Sequence, residues 1–170
     1  MDSNSYRYAV FTCQINNSMS HYAADNNINK MEAGIYLKLA DNTTLTLATR
    51  LSYWPLSTKA ELVAVFMALL SAPQKATIII HTNSQCAILV INNWELSSMR
   101  SRLKYLNSLL LIKIKMICRE KQLNISLDKV KGHNGIKGNE IADKFAKEEI
   151  NCGNLYDNRL DFINNDIRFF

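Results

Sequence analysis

The 170-residue chain has no long apolar run. The longest candidate, Leu109 to Cys118, is broken by Lys113 and Lys115 and falls well short of the ~20 residues that span a bilayer, so no membrane partner is expected. The opening residues, Met1-Asp2-Ser3-Asn4-Ser5, lack the basic and apolar start of a secretory signal. The four cysteines, Cys13, Cys86, Cys118 and Cys152, are scattered and form no C-x-x-C pair, which argues against a zinc site. Reduced thiols in an intracellular protein, cytoplasmic or nuclear, are the expectation. There is no internal repeat and no linker. One domain is expected over residues 1–150, long enough to bury a proper core, with a tail over 151–170 that is docked or disordered.

Acidic residues are scarce in one place. Between Trp94 and Lys131 the chain has nine Lys or Arg against three acids, a net of +6. The remainder, with eleven basic and twelve acidic residues, sums to −1. All the excess positive charge therefore lies in one stretch. Such a stretch is either the footprint of a polyanion partner or a solvated helix face.

What is present reads as a sequence of strands followed by alternating helices and strands. Tyr6 to Gln14 is rich in aromatic and β-branched residues and predicts a strand. Ile15 to Lys30 is polar and predicts a loop. Glu32 to Leu39 and Leu45 to Leu51 alternate as two more strands around an Asp41-Asn42 turn. A helix is expected over Thr58 to Ser71, opened by a Thr58-x-x-Glu61 capping box, buried through Leu62, Val65, Phe66 and Leu69, and stopped by Ala72-Pro73. Thr77 to His81 is an apolar run suited to a central strand buried on both faces. Asn83 or Ser84 caps a helix to about Asn93. Leu103, Leu106, Leu110, Ile114 and Ile117 recur at three- and four-residue steps and predict one helix over Arg100 to Glu120.

The last third is organised around Ile125 to Lys147. It reads as a strand (Ile125 to Lys131), a glycine-rich loop carrying His133, and a helix opening near Asn139 with Glu140 and Asp143 in its first turn. A histidine and a carboxylate aimed at one spot by a strand and a loop make a catalytic edge. Read singly, the glycines make turns and the acids complement a helix dipole. The element order, three meandering strands and then helical crossovers, predicts an α/β fold with a mixed sheet.

The string KVKGHNGIKGNEIADKFAKE resembles the C-terminal signature of ribonuclease H domains, especially those attached to retrotransposon (LINE-type) reverse transcriptases. Their pattern there is V-K-G-H-x-G-x-x-G-N-E-x-A-D-x-x-A. WPLSTKAELVAVFMALLSAP (Trp54 to Pro73) is similar to the family's first helix, and TIIIHTNSQCAI (Thr77 to Ile88) to its T-D-S-Q strand and helix. The resemblance spans about residues 6–150. It implies a ribonuclease H-like fold with a five-stranded mixed sheet, three strands antiparallel and two parallel, flanked by helices. It also implies two-metal phosphodiester cleavage of RNA–DNA hybrid, using Mg²⁺ or Mn²⁺ held by four carboxylates.

Carried over by position, Glu61 matches the helix glutamate and Asp143 the last aspartate, while His133 matches the loop histidine. Cys13, in Thr12-Cys13-Gln14, stands where the resemblance implies the first aspartate, and Asn83, in Thr82-Asn83-Ser84-Gln85, where it implies another. A carboxylate beside a dication contributes on the order of several kcal/mol, and every ~1.4 kcal/mol is tenfold. Two such losses predict weak metal binding at best, through Glu61 and Asp143, and inefficient cleavage. A less acidic groove beside a basic stretch predicts a pseudoenzyme that holds a duplex, RNA–DNA hybrid or double-stranded RNA. The implied contacts are Ser57, Thr58, Asn83, Arg100, Arg102, Lys104, Lys131 and Asn134. Helix capping is the other reading of Ser57, Thr58 and Asn83. Two alternatives stand beside this one: a low-activity hybrid endoribonuclease, and a protein-interaction scaffold that does not meet nucleic acid.

Overall fold

The alternating strands of the first third pair as a meander. The computed structural model describes residues 7–16, 31–38, 43–51, 57–131, 137–148 and 155–156. Strand β1 (Arg7–Asn16) pairs antiparallel with β2 (Met31–Lys38), and β2 pairs antiparallel with β3 (Thr44–Leu51). β4 (Thr77–Thr82) lies parallel to β1 with Thr12 beside Thr82, and β5 (Asn124–Lys129) lies parallel to β4 with Thr82 beside Lys129. Parallel neighbours cannot be joined by a hairpin, so both links run through helices.

Among the described residues the sheet has six strands where five were expected. The sixth, β6 (Leu155–Tyr156), pairs parallel with the end of β3, giving the order β5-β4-β1-β2-β3-β6. Part of the expected tail is therefore a sheet edge. The Asp41-Asn42 turn and most of the Ile15 to Lys30 loop fall outside the described residues, although Ile15 and Asn16 belong to β1.

Helix α1 (Ser57–Ser71) is more enclosed than a single apolar stripe predicts. Every residue from Lys59 to Val65 is buried, as are Ala68 and Leu69, whereas Phe66 is only half-buried. It packs on β1 and β2 and against α2 (Gln85–Leu96) and α4 (Ser108–Glu120), which is the environment of a helix that is apolar nearly all round. On β2, Ala33, Gly34 and Ile35 are consecutive and all buried, so this strand is covered on both faces. The second cover is α5 (Lys137–Glu148), which packs on β1, β2 and β3. Over β4 the cover is incomplete. Ile78, Ile80 and Thr82 are buried but Thr77, Ile79 and His81 only half so, which corrects the expectation of burial on both faces.

The long helix expected over Arg100 to Glu120 is two helices. α3 (Met99–Arg102) ends in a turn at Leu103, and α4 starts at Ser108. Leu103 and Leu106 are exposed, so no burial holds a continuous helix across the break. α5 opens at Lys137, two residues before the expected start, which leaves Glu140 in its first turn and moves Asp143 to the second. Among the described residues no helix is long and apolar enough to cross a membrane.

Two connections leave helices through left-handed residues. Lys75, between α1 and β4, has φ 61°, and Gln122, between α4 and β5, has φ 54°. At the second, Leu123 N donates to Cys118 O (2.8 Å) and Gln122 N to Arg119 O (3.2 Å), the paired bonds that close a helix end of this kind. The two turns are tied together by Lys75 N donating to Lys121 O (2.7 Å) and Asn124 N to Ala76 O (3.0 Å). Lys121 Nζ then donates to Leu70 O (2.6 Å) and Ala72 O (2.8 Å), placing a cation on the last carbonyls of α1.

Candidate functional site

The ends of β1 and β4, together with the first turns of α1, form one corner of the molecule. β4 ends at Thr82, and the side chain of Ser84 caps α2 by accepting from Ala87 N (3.2 Å). Between them sits Asn83, half-buried. Thr82 fixes this bend from both sides. Its Oγ1 accepts from Ser84 N (3.1 Å) and donates to Glu61 Oε2 (3.0 Å). Glu61 and Thr82 are both 0% exposed. The glutamate is therefore not the partner of Thr58 in a capping box. It is a core carboxyl joined to the end of β4.

The register brings a second sequence-selected position to the same level. Thr12 lies beside Thr82, so Cys13, the next residue on β1, stands level with Asn83, and it faces Gly34 on β2. Ser57 (exposed) and Thr58 (half-buried) open α1 one turn before Glu61. Asp143 lies on α5, over β1 to β3, with its side chain outside the described residues. His133 and Asn134 lie outside the described residues altogether.

The described side chains at this corner do not by themselves supply the donors that the divalent pair implied by the resemblance needs. Two dications held about 4 Å apart need a dense cluster of anionic oxygen, because their mutual repulsion must be offset. Among the described residues no group of three or more His, Cys, Asp or Glu can hold a metal ion. Glu61 is fully enclosed, and one of its oxygens already accepts from Thr82. The sequence has a thiol residue at Cys13 and an amide residue at Asn83, and neither carries the anionic oxygen that a pair of Mg²⁺ ions needs.

The basic stretch separates into two populations. Arg102 faces inward. Its Nε donates to Trp94 O (2.8 Å) and its Nη2 to Glu95 O (2.7 Å), while the guanidinium carbon lies 6.0 Å from the centroid of the Trp94 ring. It clamps the C-terminus of α2. Lys121 does the same for α1. Lys113 is buried with its ammonium 5.8 Å from the Phe66 ring centroid, and Lys115 is ion-paired with Glu95. Arg100, Lys104, Arg119, Lys129 and Lys131 are exposed. Of these, Lys129 lies beside Thr82 and Lys131 follows two residues later, so both border the Asn83 corner. Arg100 and Lys104 lie beyond the far end of α2, which separates its two ends by about 18 Å.

Sequence reasoning missed Thr82 and Lys129 as residues of this corner. Thr82 stood just beyond the expected strand, and nothing local marks it as the partner of a glutamate 21 positions earlier. His81 and Asp128 were also missed. They lie side by side on β4 and β5, with Nδ1 and Oδ2 3.9 Å apart.

The fold finds counterparts among known proteins. A search of curated proteins finds no match. Among solved structures, the crystal structure of LC9-RNase H1, described as a type 1 RNase H with the type 2 active-site motif, superposes with a TM-score of 0.65 at 15% sequence identity. The match covers 88% of this chain and 74% of that one, and at this identity it speaks for the fold alone. The RNase H family model matches residues 16–151, which include β2 to β5 and all five helices. The mixed sheet, the helices on its two faces and this match over most of the sequence lead to one conclusion: the chain belongs to the RNase H family.

Proposed function

We propose that this RNase H-family domain holds a nucleic-acid duplex, RNA–DNA hybrid or double-stranded RNA, without cutting it efficiently. The observation that carries the reading is the state of Glu61. It is fully enclosed and bonded to Thr82, at the level where the strand ends offer Asn83 and Cys13 in place of carboxylates. Enzymes of the family use Mg²⁺ or Mn²⁺, and a site with two of four carboxylates loses several kcal/mol of cation binding for each one missing. The retrotransposon kind belongs to the same proposal, supported by the V-K-G-H-x-G-x-x-G-N-E-x-A-D string between Val130 and Asp143.

Duplex binding rests on charge. Lys129 and Lys131 flank the Asn83 corner with exposed ammonium groups, and the corner itself carries fewer negative charges to repel phosphate. Contacts of this kind are salt-dependent and read shape and backbone in preference to sequence. Ser57 and Thr58, at the opening of α1, supply small polar groups at the same edge. Arg100 and Lys104 add positive field from a distance.

The test compares the natural chain with the Cys13→Asp/Asn83→Asp double variant on labelled RNA–DNA hybrid in Mg²⁺. The reading predicts that the natural chain binds hybrid and leaves it intact, while the double variant gains metal-dependent cleavage. Efficient cleavage by the natural chain would overturn it.

A further inference from the structure

The four most exposed large apolar side chains among the described residues fall within eleven positions of one another. Leu96 is 87% exposed, Met99 71%, Leu103 65% and Leu106 78%. They lie on the end of α2, on α3 and on the turn that follows it. The same segment, Leu96 to Leu109, carries Arg100, Arg102 and Lys104 and no acidic residue.

This surface is built from beneath. Trp94 is buried, and Tyr105 meets it edge-on with ring centroids 5.6 Å apart. Arg102 lies against the same indole and bonds the carbonyls of Trp94 and Glu95. Ser97 Oγ and Tyr105 Oη are 3.3 Å apart. Ser98 caps α3 by accepting from Ser101 N (3.3 Å). Trp94, Tyr105 and the Arg102 guanidinium thus hold the segment in one shape from within, while its aliphatic groups are left outside. Exposed apolar side chains clustered on such a frame mark an interaction site.

We propose that this knob docks an acidic amphipathic segment of a partner protein. The partner's apolar stripe covers Leu96, Met99, Leu103 and Leu106, and its carboxylates meet the exposed Arg100 and Lys104. Charge complementarity selects this occupant. A second copy of the chain, related by a two-fold axis, brings the same basic surface against itself. Nucleic acid is held by cations and aromatic platforms, and here the aromatics face inward and aliphatics face out. A lipid surface is the competing occupant, and the vesicle arm of the test separates it from a protein segment.

The test uses the full chain and a labelled helical peptide of about eighteen residues, made of Leu and Glu with the apolar residues at three- and four-residue steps. A matching peptide with Lys for Glu, anionic phospholipid vesicles, and sedimentation of the protein alone complete the set. The acidic peptide is expected to bind saturably and the lysine peptide is not. Leu103→Ser with Leu106→Ser is expected to weaken binding about a hundredfold, the loss that follows from removing two leucines from a contact. Because both side chains are exposed, this variant keeps the natural circular dichroism and melting temperature. Arg100→Glu with Lys104→Glu reverses the preference between the two peptides. RNA–DNA hybrid binding is unchanged by the leucine pair, so failure here is distinguishable from failure of the duplex reading. Equal binding of both peptides, no peptide binding, binding to vesicles alone, or self-association abolished by the leucine substitutions would each overturn the proposal.

Discussion

Thr82 Oγ1 donates a hydrogen bond to Glu61 Oε2 at 3.0 Å, and the same oxygen accepts from Ser84 N at 3.1 Å. One hydroxyl thus joins the first helix, the end of β4 and the start of the next helix. Thr82→Val keeps the shape and removes both bonds, leaving a buried carboxyl and a backbone donor short of a partner. It is expected to destabilise the fold by about 1–3 kcal/mol, measured by urea unfolding, and Thr82→Ser to recover most of that loss. Equal stability of the valine and threonine proteins would show that the bond has no structural weight.

The two populations of cations behave differently on substitution. Arg102→Ala removes two hydrogen bonds to the end of α2 and the stacking on Trp94. It is expected to lower stability by about 1–2 kcal/mol and to leave the salt dependence of duplex binding unchanged. Arg102→Lys does not rescue it, since an ammonium cannot reproduce the planar fork. Lys129→Ala with Lys131→Ala is expected to keep stability and reduce the slope of log K against log salt by about 1–2. Titrations at several salt concentrations, paired with melting curves, separate the two effects.

The sequence was most readable where one physical signal dominates. Thr77 to Thr82 is apolar and β-branched, and it is a strand. Ser84 has a cap's side chain, and it caps α2. It was least readable where one pattern has two physical uses. Leu103 and Leu106 continue a helical repeat, yet both are exposed and the chain turns there. Only Ser98 and Asn107, which stand at the starts of the two short helices, mark the break. Thr58-x-x-Glu61 fits a capping box equally well as it fits a glutamate turned into the core toward Thr82. The basic stretch reads as one charge run, but a cation on a helix end, such as Lys121, and one open to phosphate, such as Lys129, are identical in composition. Only their partners distinguish them.

Gln122 carries the left-handed turn between α4 and β5 at φ 54°. A side chain there costs roughly 1–2 kcal/mol, partly offset by the greater chain entropy that glycine loses on folding. Gln122→Gly is therefore expected to raise stability by up to about 1 kcal/mol, and Gln122→Ala to bring no gain. Both are measured by thermal melting. Destabilisation by glycine would contradict the turn geometry.

Lys59 is only 8% exposed, and burial holds its ammonium below the ordinary value of 10.5. The unfolded chain therefore binds more protons than the folded one in the interval just below that value. Stability then rises with pH across the interval, because raising the pH removes the proton that the unfolded chain holds better. The natural protein is expected to gain stability as pH approaches ~10.5, and Lys59→Met to lose that gain. Denaturant unfolding at a series of alkaline pH values reads the difference between the two proteins. Parallel curves would show that Lys59 is not the group responsible.

The most direct measurement follows binding and cleavage in the same samples. Labelled RNA–DNA hybrid, double-stranded RNA, double-stranded DNA and single strands are titrated with the natural chain in Mg²⁺ and in Mn²⁺ at low and high salt. Saturable binding of hybrid or double-stranded RNA, weakened by salt and without new products, is the predicted result. Efficient metal-dependent cutting of the hybrid would contradict it, as would the absence of duplex binding at low salt.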